Sequence, residues 1–250
     1  MATQTNLSPA RRHAHALRLG AALALLLAFI LPVPSAHAVA LDACPKGAHH
    51  ATIQAAIDAA APGATVRVCA AKFFENIVVT KDLTLQGAGQ DDTIVDGGAR
   101  GSVVTVSPGV TAVIRHLTLT NGRVEPSDAV GWGSGGGVHN EGRLTLEDVN
   151  VNKSVAYMGG GIANERGELT IRSSIVIHNR AEMGAGILNN GTWEGAATML
   201  VSHTYIFDNF ATVDLFEPTH DDAGAGGGLY NSDHGLLRVE SSDIDRNVAE

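Results

Sequence analysis

Four glycine-rich stretches share one pattern that decides the fold. They read GGGVHN at 135–140, GGGIAN at 159–164, GAGILN at 184–189 and GGGLYN at 226–231. The first two steps between them are 24 and 25 residues. A repeat of this length is typical of a solenoid, in which each repeat buries its apolar face only by stacking on its neighbours.

Two further segments recur between the glycine blocks. A short alternating strand comes first, as in LTL at 144–146 and LTI at 169–171, and a V/I-x-x-N unit follows, as in VIHN at 176–179 and IFDN at 206–209. Period-two alternation and frequent Gly and Asn disfavour a helical repeat. Glycine suits corners with positive φ, and asparagine either adopts the left-handed conformation or bonds to the asparagine of the next coil. We therefore predict an all-β parallel solenoid over 39–250, with clear coils of about 25 residues over 135–250.

The two ends of this domain differ. The apolar residues of 52–61 have helical spacing and Pro62 ends the run, which predicts a helix that caps the first coil. A cap is needed because the end of a solenoid is an unpaired sheet edge. At the other end the sequence stops at Glu250, where the next glycine block is due. We therefore expect an uncapped C-terminal end. Such an end is typical of a fragment, of a truncated gene product, or of a chain whose last coil pairs with another partner.

The first 38 residues have the composition of a secretory signal peptide. Three arginines precede an apolar run at 19–31, and AHA at 36–38 supplies a small-x-small cleavage site, so we expect cleavage after Ala38. The run is too short to span a bilayer comfortably, and no later stretch is long and apolar enough for a transmembrane helix. These features predict a secreted or bacterial cell-surface protein, associated with the outer membrane in the second case.

Composition excludes several classes of protein. An apolar content of 44% argues against general disorder. Removal of residues 1–38 leaves 14 basic and 26 acidic residues, a net charge of −12 that disfavours nucleic-acid binding. Two cysteines are too few for a zinc ribbon or a disulfide-dense miniprotein.

The two cysteines are Cys44 and Cys69. In an oxidising compartment they favour a disulfide that stiffens the start of the domain. The alternative is lipidation at Cys44, since 41–44 partly matches a lipoprotein cleavage box, although Asp42 fits that box badly.

The motifs resemble those of right-handed parallel β-helices of the pectin-lyase-like superfamily, over about 41–250. The opening TIQAAI at 52–57 is similar to the capping first coil of its secreted members. The GGG-I/V-x-N and I/V-x-x-N units are similar to repeats of polymorphic outer membrane proteins, whose usual units are GGAI and FxxN. The resemblance implies a right-handed parallel β-helix. It implies no single activity, because the superfamily includes lyases, hydrolases, adhesins and stalks.

Catalytic candidates are confined to one insertion. It follows Ala211 and contains Asp214, Glu217, His220, Asp221 and Asp222, which could bind a metal or act as acid and base, or form a solvated acidic loop. Lyases of the superfamily hold calcium with acidic residues on neighbouring coils, and the positions compared across the strands show no such ladder. We therefore expect no cofactor, with calcium as the exception if the protein is a lyase.

Binding candidates surround a predicted shallow groove. A second insertion, 123–134, contains Glu125, Asp128 and Trp132 and occupies the same turn three coils away, roughly 14 Å from the first insertion. The predicted floor consists of outward-facing residues, namely His139, Ala163, Leu188 and Tyr230. Trp132, Tyr230 and Phe216 could stack on a sugar ring, or Trp132 could pack only its own loop.

Three functional hypotheses remain. The first is a non-catalytic adhesin-like or structural module that binds polysaccharides or cell-surface glycans. The second is a polysaccharide lyase or glycoside hydrolase, with the insertion after Ala211 contributing the site. The third is a truncated, nonfunctional fragment.

Overall fold

A computed structural model describes residues 41–44, 50–127, 133–193, 195–213, 215–216 and 224–250. All of them belong to one compact unit. The predicted signal peptide, 1–38, lies outside the described residues. Among those described, no helix is long and apolar enough to cross a bilayer.

The described residues contain a single helix, α1 (Ile53–Ala59), which follows the first short strand. The Thr52 hydroxyl accepts a hydrogen bond from the Ala55 amide and so caps the helix N-terminus. The Glu75 carboxylate accepts two further amide protons of the first turn, at 2.9 and 3.0 Å. The helix buries one apolar face, made of Ile53, Ala56 and Ile57. A helix is therefore present within the predicted range 52–61.

The rest of the described chain consists of short strands joined by tight corners. In chain order they are β1 (Leu41–Ala43), β2 (Ala64–Val68), β3 (Ala71–Phe74), β4 (Ile77–Val79), β5 (Leu83–Gln86), β6 (Thr93–Asp96), β7 (Val104–Val106), β8 (Thr111–Thr120), β9 (Arg123–Val124), β10 (Val138–Asn140), β11 (Arg143–Asn152), β12 (Val155–Ala156), β13 (Ile162–Glu165), β14 (Glu168–Arg172), β15 (Ile175–Ile177), β16 (Arg180–Ala181), β17 (Ile187–Asn190), β18 (Thr198–Ser202), β19 (Tyr205–Phe207), β20 (Phe210–Ala211), β21 (Leu229–Ser232), β22 (Leu236–Glu240), β23 (Asp243–Asp245) and β24 (Val248–Ala249).

These strands form three parallel sheets that run along the solenoid. Sheet A contains the order β1-β2-β5-β8-β11-β14-β18-β22 together with the ladder β3-β6-β8-β11-β15-β19-β23. Sheet B has the order β4-β7-β10-β13-β17-β21, and sheet C has β9-β12-β16-β20-β24. Equivalent residues of successive repeats pair, as in Val138 with Ile162 and Ile162 with Ile187. The all-β parallel β-helix predicted from the repeat is therefore confirmed.

The core is a set of apolar columns inside the coil. Leu144 and Leu146 of β11 point inward and are at most 1% exposed, whereas Thr145 between them is partly exposed. Leu169 continues the Leu144 column in the next coil and is 1% exposed. The alternation keeps each side chain over its equivalent, so the columns form one continuous core.

A ladder of asparagines, buried except for the last one, Asn231, holds the corners of successive coils together. Asn140 donates to Asn164 at 2.7 Å, Asn164 to Asn189 at 2.8 Å, and Asn189 to Asn231 at 2.7 Å. None of the four has a positive φ. Of the two roles expected for asparagine, the structure therefore shows bonding between coils. A second asparagine ladder joins the ends of the V/I-x-x-N units at Asn179, Asn209 and Asn247.

The left-handed corners are occupied mostly by other residue types. One glycine of each repeat block has a positive φ, as at Gly159 with 62°. Two further corner columns are made mostly of charged, histidine or serine residues, namely His116, Asp148, Ser173, His203 and Ser241, and Asn121, Lys153, His178, Asp208 and Arg246. A left-handed φ at such residues is unfavourable, so stacking of the repeats imposes it.

Cys44 and Cys69 form the disulfide expected for an exported protein, with 5.2 Å between their Cα atoms. The bond joins the ends of the paired strands β1 and β2.

Candidate functional site

A cleft with several polar side chains lies on the outer face of sheet B. It encloses about 370 Å³ and contains His139 of β10 and Glu165 at the end of β13. Three hydroxyl side chains, Ser102, Thr105 and Ser134, also line it. Hydroxyls, an imidazole and a carboxylate around one open space are groups that bind the hydroxyls of a polar ligand.

Sheet register explains why His139 reaches this cleft. Val138 and Asn140 point into the core, so His139 between them points outward. Its column runs from Thr105 through His139, Ala163 and Leu188 to Tyr230, as predicted from the repeat. Ala163 and Leu188 are nevertheless buried, at 0% and 1% exposure. The predicted groove floor is therefore wrong at these two positions, because other parts of the protein cover them, and only His139 and Tyr230 remain partly exposed.

His139 and Glu165 form a largely buried ion pair. Nε2 of His139 lies 3.4 Å from Oε2 of Glu165, and the two side chains are 25% and 22% exposed. The contact is close enough for charge attraction but is not aligned as a hydrogen bond, so Nε2 has no directed partner among the described residues. Nε2 is itself buried, so it interacts with Glu165 and does not face the open space of the cleft.

Each member of the pair stabilises the charged form of the other. Burial lowers the pKa of His139, but the Glu165 carboxylate raises it by more, so it lies above its ordinary 6.5. Burial raises the pKa of Glu165, but His139 and the Ser134 hydroxyl lower it by more, so it lies below its ordinary 4.5. Both groups are therefore charged from the lowered pKa of Glu165 up to the raised pKa of His139.

This pair predicts a pH-dependent contribution to stability. The raised pKa of His139 stabilises the folded protein fully below pH 6.5, and this contribution is lost as the pH rises through the raised pKa. The lowered pKa of Glu165 stabilises the folded protein fully above pH 4.5, and this contribution is lost as the pH falls through the lowered pKa. Glu165→Gln should cost about 1 kcal/mol of unfolding free energy between these values and less on either side. Urea denaturation of both proteins across this pH range measures the difference.

Glu168→Gln is the matched control, because Glu168 pairs with Arg143 at 2.7 Å with both side chains well exposed. It should show a smaller loss without a maximum between pH 4.5 and 6.5. An equally flat profile for Glu165→Gln would contradict the coupling of Glu165 with His139.

A second glutamate occupies the equivalent position one coil earlier. Glu141 directly follows Asn140, as Glu165 directly follows Asn164. Arg166 donates to Glu141 at 3.1 Å and neutralises it. The positions compared across the strands do not include these two glutamates. The repeat could have identified them, because each directly follows the ladder asparagine of its coil.

Among the described residues, the lining of the cleft contains one carboxylate, that of Glu165. The described residues contain no group of three or more His, Cys, Asp or Glu side chains able to hold a metal. Glycoside hydrolysis needs two carboxyl groups flanking one bond. Of the described candidates, Glu165 is paired with His139 and Glu141 with Arg166.

The two insertions approach each other where they are described. The Arg123 guanidinium lies 5.4 Å from the ring centroid of Phe216. The expected separation of roughly 14 Å is therefore wrong for these ends, because loops of this length bridge several coil steps. Most predicted residues of the two loops lie outside the described residues, namely Asp128, Trp132, Asp214, Glu217, His220, Asp221 and Asp222.

Comparisons with known proteins show the fold. No protein-family model matches the chain, and no curated protein sequence matches it significantly. A pectin methylesterase solved with hexasaccharide VII gives a TM-score of 0.51 at 14% identity, over 81% of this chain and 66% of that one. The protein has the right-handed parallel β-helix fold.

Two further solved structures extend the comparison to this β-helix. A mutant pectin methylesterase in complex with hexasaccharide IV gives a TM-score of 0.50 at 14% identity, over 82% of this chain and 66% of that one. The ORF18 protein of Geobacillus virus E2 gives 0.51 at 14% identity, over 82% of this chain and 41% of that one. The β-helix thus spans just under two thirds of the esterase structures. Identities this low show a shared fold and no shared activity.

Proposed function

We propose that the protein is a secreted β-helix that binds a polysaccharide without cleaving it, through the cleft around His139 and Glu165. The observation that carries this proposal is the cleft itself. It combines three hydroxyl side chains with the imidazole of His139 and the carboxylate of Glu165. Such groups exchange hydrogen bonds with sugar hydroxyls.

Export is part of the same proposal. Residues 1–38 have the organisation of a signal peptide. The bond between Cys44 and Cys69 supports it, because disulfides persist in extracytoplasmic compartments. The polysaccharide would then be met outside the cytoplasm, at a cell surface or in the medium.

Pectin is the first ligand to test, because pectin methylesterases with the same fold have been solved with bound hexasaccharides. Methyl-esterified pectin should bind better than polygalacturonate. The chain carries a net charge of −9, or −12 without residues 1–38, and the cleft contains a carboxylate, so it disfavours a polyanion.

Affinity electrophoresis in gels containing pectin tests the proposal. The full chain should be retarded, and His139→Ala should weaken the retardation about tenfold because the cleft loses its only described imidazole. His178→Ala is the control, since His178 is 55% exposed, lies beside Asp208 and does not line the cleft. Equal retardation of both variants would contradict the proposed cleft.

Product analysis separates binding from catalysis. With pectin or polygalacturonate, with and without calcium, we expect no unsaturated products, reducing ends or methanol. Formation of any of these products, and its loss in His139→Ala, would instead support an enzyme in which His139 acts as base.

A further inference from the structure

The outer face of the ladder β11-β15-β19-β23 has an apolar centre. Ile175 and Ile177 of β15 point outward, and in the next coil they pair with Tyr205 and Phe207 of β19. Tyr205 is 53% exposed. These four residues are named the aromatic platform. These outward-facing apolar side chains are unusual, because the equivalent positions in the other coils are mainly occupied by polar residues.

Polar side chains border the aromatic platform on both sides. In the preceding coil the same two positions are Asn150 and Asn152, and in the following coil they are Asp243 and Asp245. Nδ2 of Asn152 donates to Oδ1 of Asn150 at 2.9 Å, which fixes the two amides relative to each other. The platform is thus flanked by amides along one edge and carboxylates along the other, both of which bond to hydroxyl groups.

The neighbouring corner orients one aromatic ring. Arg246 donates to both carboxylate oxygens of Asp208, at 2.9 and 3.2 Å, and its guanidinium lies 5.3 Å from the ring centroid of Phe207. The arginine charge is therefore already paired. A groove of about 520 Å³ extends along Tyr205 and Phe207 to Asp243, Asp245 and Arg246, a size typical of small-ligand sites.

We propose that the aromatic platform binds a neutral oligosaccharide. Aromatic rings stack on the apolar faces of sugar rings. The bordering amides can donate hydrogen bonds to sugar hydroxyls or accept them, and the bordering carboxylates accept them. Asp243 and Asp245 repel anionic sugars, and Arg246 is occupied by Asp208, so an uncharged chain fits better than a polyuronide.

The platform is too small for a stable protein partner. Its four residues span about 7 Å along a strand and about 5 Å between coils. A standard protein interface needs roughly 800 Å² on each partner. One or two stacked sugar rings cover such a patch, so we assign it to a glycan.

This site goes beyond the proposed function, because it lies on sheet A whereas the cleft of His139 lies on sheet B. The two sites have separate residues and separate ligand preferences. The platform can therefore bind its ligand whether or not the cleft binds pectin.

Calorimetric titration of the full chain with neutral hexasaccharides, of β-1,4-linked glucose, xylose and mannose, tests the platform. At least one should bind, and Tyr205→Ala should weaken it about tenfold or more. Phe74→Ala is the matched control, because Phe74 is 72% exposed and has its own cation–π contact with Lys72, on strand β3 outside the platform. His139→Ala should also leave this binding unchanged.

Three results would overturn the platform. They are the absence of binding to every neutral hexasaccharide, equal losses in Tyr205→Ala and Phe74→Ala, and stronger binding of oligogalacturonate than of the neutral sugars. Pectin binding that depends on His139 but not on Tyr205 would leave the proposed function standing while the platform fails. Circular dichroism of each variant confirms that the β-helix is intact.

Discussion

Asn164→Asp is expected to lower the free energy of unfolding by about 4 kcal/mol at pH 7. Asn164 is fully buried, and its Nδ2 donates to three oxygens, Oδ1 of Asn189 and the carbonyls of Gly167 and Thr198. A carboxylate has the same shape but no donor, so it would face three acceptors in a buried site. The change would break the asparagine ladder in its middle.

The loss should depend on pH with a defined sign. Burial and the facing oxygens hold the pKa of the introduced carboxyl above its unfolded value of about 3.9, so the variant regains stability as pH falls toward that value. Urea denaturation at pH 7 and pH 4 measures both values. The control is Asn231→Asp at the exposed end of the same ladder, where water replaces the lost donor. Equal losses in the two variants would show that the buried ladder contributes nothing particular to stability.

Gly160→Ala is expected to cost roughly 3 kcal/mol or more. A Cβ at Gly160 would lie 2.2 Å from the carbonyl oxygen and 2.6 Å from the carbonyl carbon of Arg180, and 2.8 Å from the carbonyl oxygen of Ala185. All three atoms belong to the backbone of the next coil, which hydrogen bonds hold at a fixed spacing. The two coils would have to separate locally to admit one methyl group.

Gly195→Ala is the matched control for this substitution, because a Cβ at Gly195 meets no atom within 4 Å. Thermal unfolding of the two variants beside the original protein measures the difference. Gly195→Ala should unfold at the same temperature as the original protein. Gly160→Ala should unfold at a distinctly lower temperature or accumulate as insoluble protein. A normal melting curve for Gly160→Ala would mean that the coil spacing is more adaptable than the close contacts indicate.

The fold was predictable because a solenoid uses one local pattern many times. The recurrence of Val138 as Ile162 and Ile187 predicts the register directly, since any slip would expose an apolar column. The identity of the left-handed corners was not predictable in the same way. Asp148 and His178 adopt positive φ although neither residue type marks such a corner as glycine does.

The candidate site was predictable only in part. His139 was identified as an outward residue from the repeat alone. Its partner Glu165 was missed, although Glu141 and Glu165 follow the ladder asparagine of consecutive coils. Burial of Ala163 and Leu188 has no local signal, because it depends on which other parts of the protein fold over the outer face of sheet B.

The chain's repeat period and alternation alone determine that it coils into a parallel β-helix, which side chains enter the core, and which asparagines stack. They do so because each coil copies the register of the one before it. Only the tertiary structure shows which side chains of different coils come into contact. Examples are the 3.4 Å approach of His139 to Glu165 and the contact of Arg123 with Phe216. A further example is the grouping of Ile175, Ile177, Tyr205 and Phe207 into the aromatic platform. These contacts between coils join residues from 26 to 93 positions apart in the sequence, and only the stacking of coils brings such residues together.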